Sequence, residues 1–351
     1  MVVSAMPNSP AIALIASPLE EEHVTRLRGL APERLQVLWD PHLLPTPRYV
    51  ADHKGAPFQR TPEQQGRWQG MLGRANILFD LPAPADLPHL SRLQWVQTTS
   101  TGVGPAVARL GLDRLGILVT TARGVHAGPL AEFVFMALLA HLRGYDRLKR
   151  EQAARRWERY CGEDLAGRTM VIIGAGDLAR GCARLAKALD MRVVAVARDP
   201  ARARAHASLF DAVMPVSELG IALGMADAVV MTAPQTPETE RMLDAAAFAA
   251  MRPGVLFVNI GRGPTVDHAA LEAALRSGRV AFAALDVTDP EPLPAESPLW
   301  AMENVLISPH SASTVSRENA RITDIFCSNL LCWLDGRRTE MRNVLDTNLM
   351  Y

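Results

Sequence analysis

Short, uninterrupted apolar runs alternate along this chain with stretches whose apolar positions recur at helical spacing, a pattern that predicts a parallel α/β architecture. Residues 11–15 make the first run, of buried-strand length, and residues 20–30 carry the mixed pattern of a surface helix. Further runs at 75–79 and 93–97 alternate with helix-like stretches. Residues 41–62, rich in proline and polar side chains, read as a surface excursion. Residues 130–142 have the apolar content of a packed helix, and charge dominates 143–159.

The character changes at Gly167-Arg168-Thr169, which leads into Met170-Val171-Ile172-Ile173. Apolar runs then recur at 192–197, 228–232, 255–260, 281–285 and 305–307. Five or six strands with helices between them predict a second, doubly wound sheet. The Ala/Arg mix at 201–207 fits one helix, and residues 314–334 read as an amphipathic helix that ends near Asp335-Gly336 and returns to the first unit. The fold class expected is α/β, with two doubly wound parallel sheets in two domains.

A length of 351 residues suits two compact units, each able to bury a core. The 37 basic residues balance 37 acidic ones, so no net field favours nucleic acid or an anionic membrane, and a small-molecule partner is expected. Cys161, Cys182, Cys327 and Cys332 show neither paired nor metal-ligand spacing, so they read as free thiols of a reducing cytoplasm, with no metal. Residues 1–10 lack a positive leader and the run 11–16 is too short to span a membrane, which also points to the cytoplasm.

Gly174-Ala175-Gly176-Asp177-Leu178-Ala179 follows a strand and opens a helix near Leu178, the context that a dinucleotide-binding turn requires. Gly174 permits the turn, Gly176 lets the backbone approach pyrophosphate, and Ala179 is small enough for the helix to pack on the strand. The residue that reads the adenosine ribose is expected at the end of the next strand, where Ala197 stands with Arg198 after it. Alanine cannot repel a 2′-phosphate and the guanidinium suits one, so NADP is expected over NAD. Asp199-Pro200 reads as a helix cap and first-turn proline, which gives that carboxylate a structural role. Arg202 and Arg204 are further candidates for phosphate contact.

Three residues, each just after a predicted strand, carry candidate chemistry: Arg262 after 255–260, Glu291 after 281–285 and His310 after 305–307. Reduction of a 2-oxo acid needs hydride at the carbonyl carbon and a proton at its oxygen, which makes His310 the candidate acid. A carboxylate on that imidazole, Glu291, would fix its tautomer and favour its charged form. Arg262 would clamp the substrate carboxylate and polarise the carbonyl.

These stretches resemble the D-2-hydroxyacid dehydrogenase family, which includes glyoxylate/hydroxypyruvate reductases. The similarity runs in order through Leu93-Gln94-Trp95-Val96-Gln97, Ser100-Thr101-Gly102-Val103, Gly124-Val125-His126-Ala127, the glycine turn, Val258-Asn259-Ile260-Gly261-Arg262-Gly263, Leu285-Asp286-Val287, Glu291-Pro292-Leu293-Pro294 and Ser308-Pro309-His310. The resemblance implies that Arg262, Glu291 and His310 take the family's substrate-binding, histidine-supporting and acid/base roles. It implies that backbone amides at Thr101, Gly102 and Val103 hold the substrate carboxylate. It also puts Pro234, Ile260, Gly261, Asp286 and His310 against the cofactor together with Gly174, Gly176, Asp177, Leu178, Ala197 and Arg198, with Asp286 at the nicotinamide carboxamide.

The same resemblance implies a flavodoxin-like substrate domain, 1–122 with 312–351, into which a Rossmann cofactor domain, 123–311, is inserted. A homodimer with residues 142–164 at its interface is likewise implied. Ala179 and Ala197 depart from the family's usual glycine and acidic residue, and Thr288 stands where an aromatic is common. His126 and His141 receive no catalytic role, and His141 reads as a helix-surface residue. The activity expected is NADPH-dependent reduction of a small 2-oxo acid. Phosphite oxidation shares the Arg, Glu and His, and a cofactor-sensing, corepressor-like binding protein is the alternative from another class.

Overall fold

The computed structural model describes residues 10–204 and 208–347. Residues 1–9, part of the stretch read as lacking a leader, lie outside these, as do 205–207 of the Ala/Arg stretch and the side chain of Arg202. The chain forms two compact units, Met1–Val125 with Thr314–Tyr351, and His126–Ser313.

In the first unit β1 (Ala11–Ile15), β2 (Leu35–Leu38), β3 (Ile77–Phe79), β4 (Trp95–Gln97) and β5 (Leu118–Thr120) form a parallel sheet in the order β2-β1-β3-β4-β5, the flavodoxin-like order. Both faces are covered, which is why the strands read as apolar runs instead of alternating. Ala13 and Ile15 face one core with Ile322, Phe326 and Leu330, whereas Leu14 faces another with Leu72, Leu78 and Val96. The helix Glu318–Leu334 therefore closes one side of this sheet, as its pattern predicts. Its Phe326 lies 5.2 Å from Phe79 and 5.4 Å from Trp95, ring to ring. The polar groups beneath are paired: Trp95 Nε1 donates to Thr120 Oγ1 at 2.8 Å, and Gln97 Oε1 accepts from Thr120 Oγ1 at 2.8 Å and from Asn329 Nδ2 at 3.2 Å.

The stretch 41–62 is less of a surface excursion than its composition suggests. Leu43, Leu44 and Asp52 are buried, and Pro62 is the first residue of a helix, Pro62–Leu72, with a reciprocal Thr61–Gln64 capping box. Strands β2 and β5, the two edges of this sheet, were not among the predicted runs.

The second unit holds seven parallel strands instead of five or six: β6 (Thr169–Ile173), β7 (Arg192–Ala197), β8 (Ala212–Pro215), β9 (Ala228–Met231), β10 (Val255–Asn259), β11 (Val280–Leu285) and β12 (Val305–Ile307). Their order is β12-β11-β10-β9-β6-β7-β8, which reverses between β6 and β9 and is the Rossmann arrangement with an added edge strand. The unpredicted strand, β8, is a half-buried edge ending in Pro215. Registers pair Val196 with Ile173, Ile173 with Met231, Met231 with Asn259, Asn259 with Leu285 and Leu285 with Ile307. The loops that follow these strands consequently leave from one row. The helix of the Ala/Arg stretch is seen as Pro200–Arg204, directly after Asp199.

His141 is exposed on helix Ala127–Leu142, as its position suggests, with its ring stacked 4.6 Å from Phe282, and partial desolvation there holds its pKa below the ordinary histidine value. Among the described residues no helix is long and apolar enough to cross a membrane, and no group of three His, Cys, Asp or Glu could hold a metal ion.

Candidate active site

The turn after β6 is shaped by backbone need. Gly174 has φ +118°, its N–H donates to Val196 O at 2.8 Å, and a Cβ there would come within 2.5 Å of Thr232 Oγ1. Gly176 is exposed and a Cβ on it would meet nothing within 4 Å, so open space lies over this backbone. Helix Asp177–Ala188 starts here, one residue earlier than its pattern indicates, with Gly176 as a cap that offers no side-chain acceptor. Its first N–H groups need an acceptor from outside the helix. Asp177 pairs with Arg180 one turn on. Ala179 is fully buried, as a small residue packing helix on strand must be. A cradle, open space and helix amides fit the pyrophosphate of a dinucleotide.

Ala197 ends β7, buried, and Arg198 follows, exposed. Pro234 follows β9 and is exposed, while Ile260 and Gly261 follow β10 and are buried. A Cβ on Gly261 would come within 2.9 Å of Ala233 O, so the β9 and β10 loops touch backbone to backbone.

Arg262 leaves the same loop. Asn259 holds it from inside: Oδ1 accepts from Gly261 N at 3.0 Å and Nδ2 donates to Arg262 O at 3.2 Å. Thr265 Oγ1 also donates to Arg262 O, at 2.6 Å, and the guanidinium donates to Gly261 O at 2.7 Å. Burial lowers the Arg262 pKa, while Glu291 and Asp286 pull it back up. The cation therefore feels both carboxylates and, as an arginine, stays charged. Gly263 packs so closely on the Thr288 carbonyl that any side chain would overlap it, which docks the arginine loop against the loop carrying Glu291.

Glu291 is tied at both oxygens. Oε1 accepts from Thr288 N at 3.1 Å, and Oε2 stands 2.9 Å from His310 Nδ1. An ionised carboxylate only accepts, so Nδ1 carries the hydrogen and Nε2 is the ring nitrogen directed away from Glu291. His310 and Glu291 side chains are 49% and 39% exposed, which leaves the pair reachable. His310 has φ +53°, a left-handed conformation that costs a non-glycine residue about 1–3 kcal/mol and needs support. That support is visible: its N–H donates to Asp286 O and to Ser308 O, both at 2.9 Å. Asp286, 3% exposed, accepts at Oδ1 from Ser308 Oγ at 2.7 Å and from Ala312 N at 2.9 Å. Asp286 thus braces the histidine turn from below.

The trio predicted from sequence converges on loops of one sheet. Reasoning from sequence missed the bracing by Ser308, Thr288, Thr265 and Asn259; Asn259 and Ser308 stood inside quoted motifs, but nothing in a motif says whose backbone each would meet. Thr101 and Gly102, after β4 of the first unit, are exposed, whereas Val103 is buried and its N–H donates to Thr101 O at 3.0 Å.

The family model described as D-isomer specific 2-hydroxyacid dehydrogenase, NAD binding domain, matches residues 135–312. The (S)-sulfolactate dehydrogenase of Chromohalobacter salexigens is 34% identical over 237 residues, 64% of this chain and 76% of that protein. The glyoxylate reductase/hydroxypyruvate reductase of Mus musculus is 30% identical over 281 residues, 76% of this chain and 83% of that protein. Among solved structures, the D-isomer specific 2-hydroxyacid dehydrogenase from Xanthobacter autotrophicus Py2, in complex with NADPH and MES, is 27% identical with a TM-score of 0.74, covering 98% of this chain and all of that one, 100%.

Proposed function

The chain belongs to the D-isomer specific 2-hydroxyacid dehydrogenase family, and from that premise we propose that it reduces small 2-oxo acids such as glyoxylate or hydroxypyruvate with NADPH. Membership makes it an oxidoreductase that uses a nicotinamide cofactor. The observation that carries the finer proposal is the 2.9 Å contact of Glu291 Oε2 with His310 Nδ1, within electrostatic reach of the half-buried Arg262 guanidinium.

A bound nicotinamide supplies the hydride that reaches the substrate's carbonyl carbon. Arg262 holds the substrate carboxylate and draws charge toward the carbonyl oxygen, restricting the pose. His310 Nε2 delivers the proton to that oxygen as it becomes the hydroxyl, and the same nitrogen takes the proton back when a 2-hydroxy acid is oxidised. Glu291 holds the tautomer and stabilises the imidazolium between turnovers. Family resemblance supports binding of the carboxylate by the backbone at Thr101, Gly102 and Val103 of the first unit; the exposure of Thr101 and Gly102 supports those two, whereas the Val103 N–H is already donated to Thr101 O. The first unit is accordingly the substrate domain and the second the cofactor domain.

NADPH preference rests on Ala197 and Arg198: nothing acidic ends β7, and an exposed guanidinium follows. That the X. autotrophicus relative was solved with NADPH supports the same choice. A homodimer through 142–164 is supported by the exposed Tyr145, Leu148 and Trp157 of that stretch, Trp157 being 97% exposed.

The test is steady-state oxidation of NADPH and NADH on glyoxylate and hydroxypyruvate, by the protein and by Arg198→Ala. Turnover with NADPH favoured is expected. Arg198→Ala should weaken NADPH binding by about tenfold, the worth of one charge-assisted hydrogen bond, and leave NADH nearly untouched. Equal effects on the two cofactors would refute the preference. Tight NADPH binding without turnover on either acid would instead mark a cofactor sensor.

A further inference from the structure

The carboxyl edge of the first unit's sheet holds an imidazole that the chemistry above does not use. His53 Nδ1 stands 3.5 Å from Ser17 Oγ, and Ser17 is buried just beyond the end of β1. Either group can donate across that contact; a Ser17 hydroxyl donating to Nδ1 puts the hydrogen on Nε2. That nitrogen is buried and has no hydrogen-bond partner among the described residues. A buried donor without an acceptor is costly, so this nitrogen calls for a partner that the described residues do not supply, a bound ligand or an ordered water.

The loop that presents His53 is fixed with unusual firmness for a connecting segment. The Asp52 carboxylate accepts from Arg48 N, Arg48 Nε, Arg48 Nη2 and Gly55 N at 2.7–3.1 Å, and Ala56 N donates to Thr46 O at 2.8 Å. Inside this clamp Ala51 is held at φ +65°, with His53 N donating to Ala51 O at 3.1 Å. A strained non-glycine residue held by surrounding bonds is typical of a loop that must present a side chain in one place.

The edge continues regularly from Ser17 toward the turn at Thr101. Ala16 N donates to Phe79 O, Asp80 N to Gln97 O and Thr98 N to Thr120 O, at 2.7–3.0 Å. Strands β1 and β4 are two strand spacings apart, roughly 10 Å, the span of a small acid with a hydrogen bond at each end. Asp80, between them at the end of β3, is a second non-glycine residue at positive φ, +84°. Its carboxylate, which accepts from Leu81 N at Oδ1 at 2.8 Å, opposes a second anionic group at the β1 end of this edge and can accept from a hydroxyl there.

We propose that His53, oriented by Ser17, is a specificity-determining residue that donates from Nε2 to a hydroxyl at the far end of the substrate, so that the protein prefers 2-oxo acids with a 3-hydroxyl. This rests on the 2-oxo acid reductase function proposed above. The experiment compares kcat/KM for hydroxypyruvate, pyruvate and oxaloacetate in the protein, His53→Phe, His53→Gln and Ser17→Ala, with thermal unfolding to check each fold. His53→Phe should lower kcat/KM for hydroxypyruvate by about tenfold, the loss of one hydrogen bond, and leave pyruvate within about twofold. His53→Gln should recover part of the loss, and Ser17→Ala should show a smaller one in the same direction. A parallel fall on hydroxypyruvate and pyruvate would make His53 structural, and a larger fall on oxaloacetate would make the recognised group a carboxylate; either overturns the proposal. An unmodified protein inactive on all three acids would sink the reductase function itself, whereas an active one whose discrimination ignores His53 sinks only this inference.

Discussion

Gly263 shows how much of this site depends on what a single residue lacks. Its α-carbon lies against the Thr288 carbonyl with no room for a side chain, and that contact sets Arg262 beside the loop that carries Glu291. Gly263→Ala should force the two loops apart, lowering turnover by at least about tenfold and stability by about 1–3 kcal/mol, as overpacking does. Initial rates and thermal unfolding would check it, and a variant with native kinetics would show the fit to be slack. The glycine is legible in the sequence as part of Asn259-Ile260-Gly261-Arg262-Gly263, but its partner is not, because Thr288 lies on the next strand's loop. The same limit hid the Asp286 carboxylate's grip on Ser308 and Ala312. Candidate groups can be read from residue types after strands, whereas the side chains that orient them are chosen by the register of neighbouring strands.

At the scale of elements, the stretch 41–62 is the instructive difference. Proline and polar residues read as surface, yet a buried carboxylate organises the segment: Arg48 hydrogen bonds hold the Asp52 carboxyl well below the usual carboxylate range, against the opposing effect of burial. A depressed folded-state pKa stabilises above the unfolded value, about 3.9 for Asp, and that contribution is lost as pH falls toward the folded one. Asp52→Asn should therefore cost about 1.5–3 kcal/mol at pH 7, the range for hydrogen bonds to a charged group. The gap from the parent protein should narrow as pH drops below about 4. Urea unfolding at the two pH values measures this, and a gap that stays constant with pH would contradict the role of the charge. Gly174 makes a parallel case in the second unit, where Gly174→Ala would bring Cβ to 2.5 Å from Thr232 Oγ1 at φ +118°. NADPH binding should fall by about tenfold or more while the far edge of the sheet keeps its fold, checked by titration alongside circular dichroism; undiminished binding would separate the turn's strain from cofactor affinity.

For the molecule as a whole, the central strands were the legible part. Runs at 192–197 and 255–260 are strands over 192–197 and 255–259, because strands buried on both faces must be apolar without interruption. The edge strands β2, β5 and β8 were not, since Gln36, Thr120 and Pro215 break their short runs, whereas the equally short edge β12 is apolar throughout and was legible. The parallel order then does the work that sequence cannot: it aligns Met231, Asn259, Leu285 and Ile307 in one row, so that residues far apart in the chain emerge side by side. Whether that alignment serves proton transfer is decided by one measurement, single-turnover oxidation of bound NADPH by hydroxypyruvate in His310→Gln beside the unaltered protein. A rate lower by about 10²-fold or more, with NADPH affinity unchanged, is the predicted result; a rate within a few-fold of the unaltered protein would take His310 out of the chemistry.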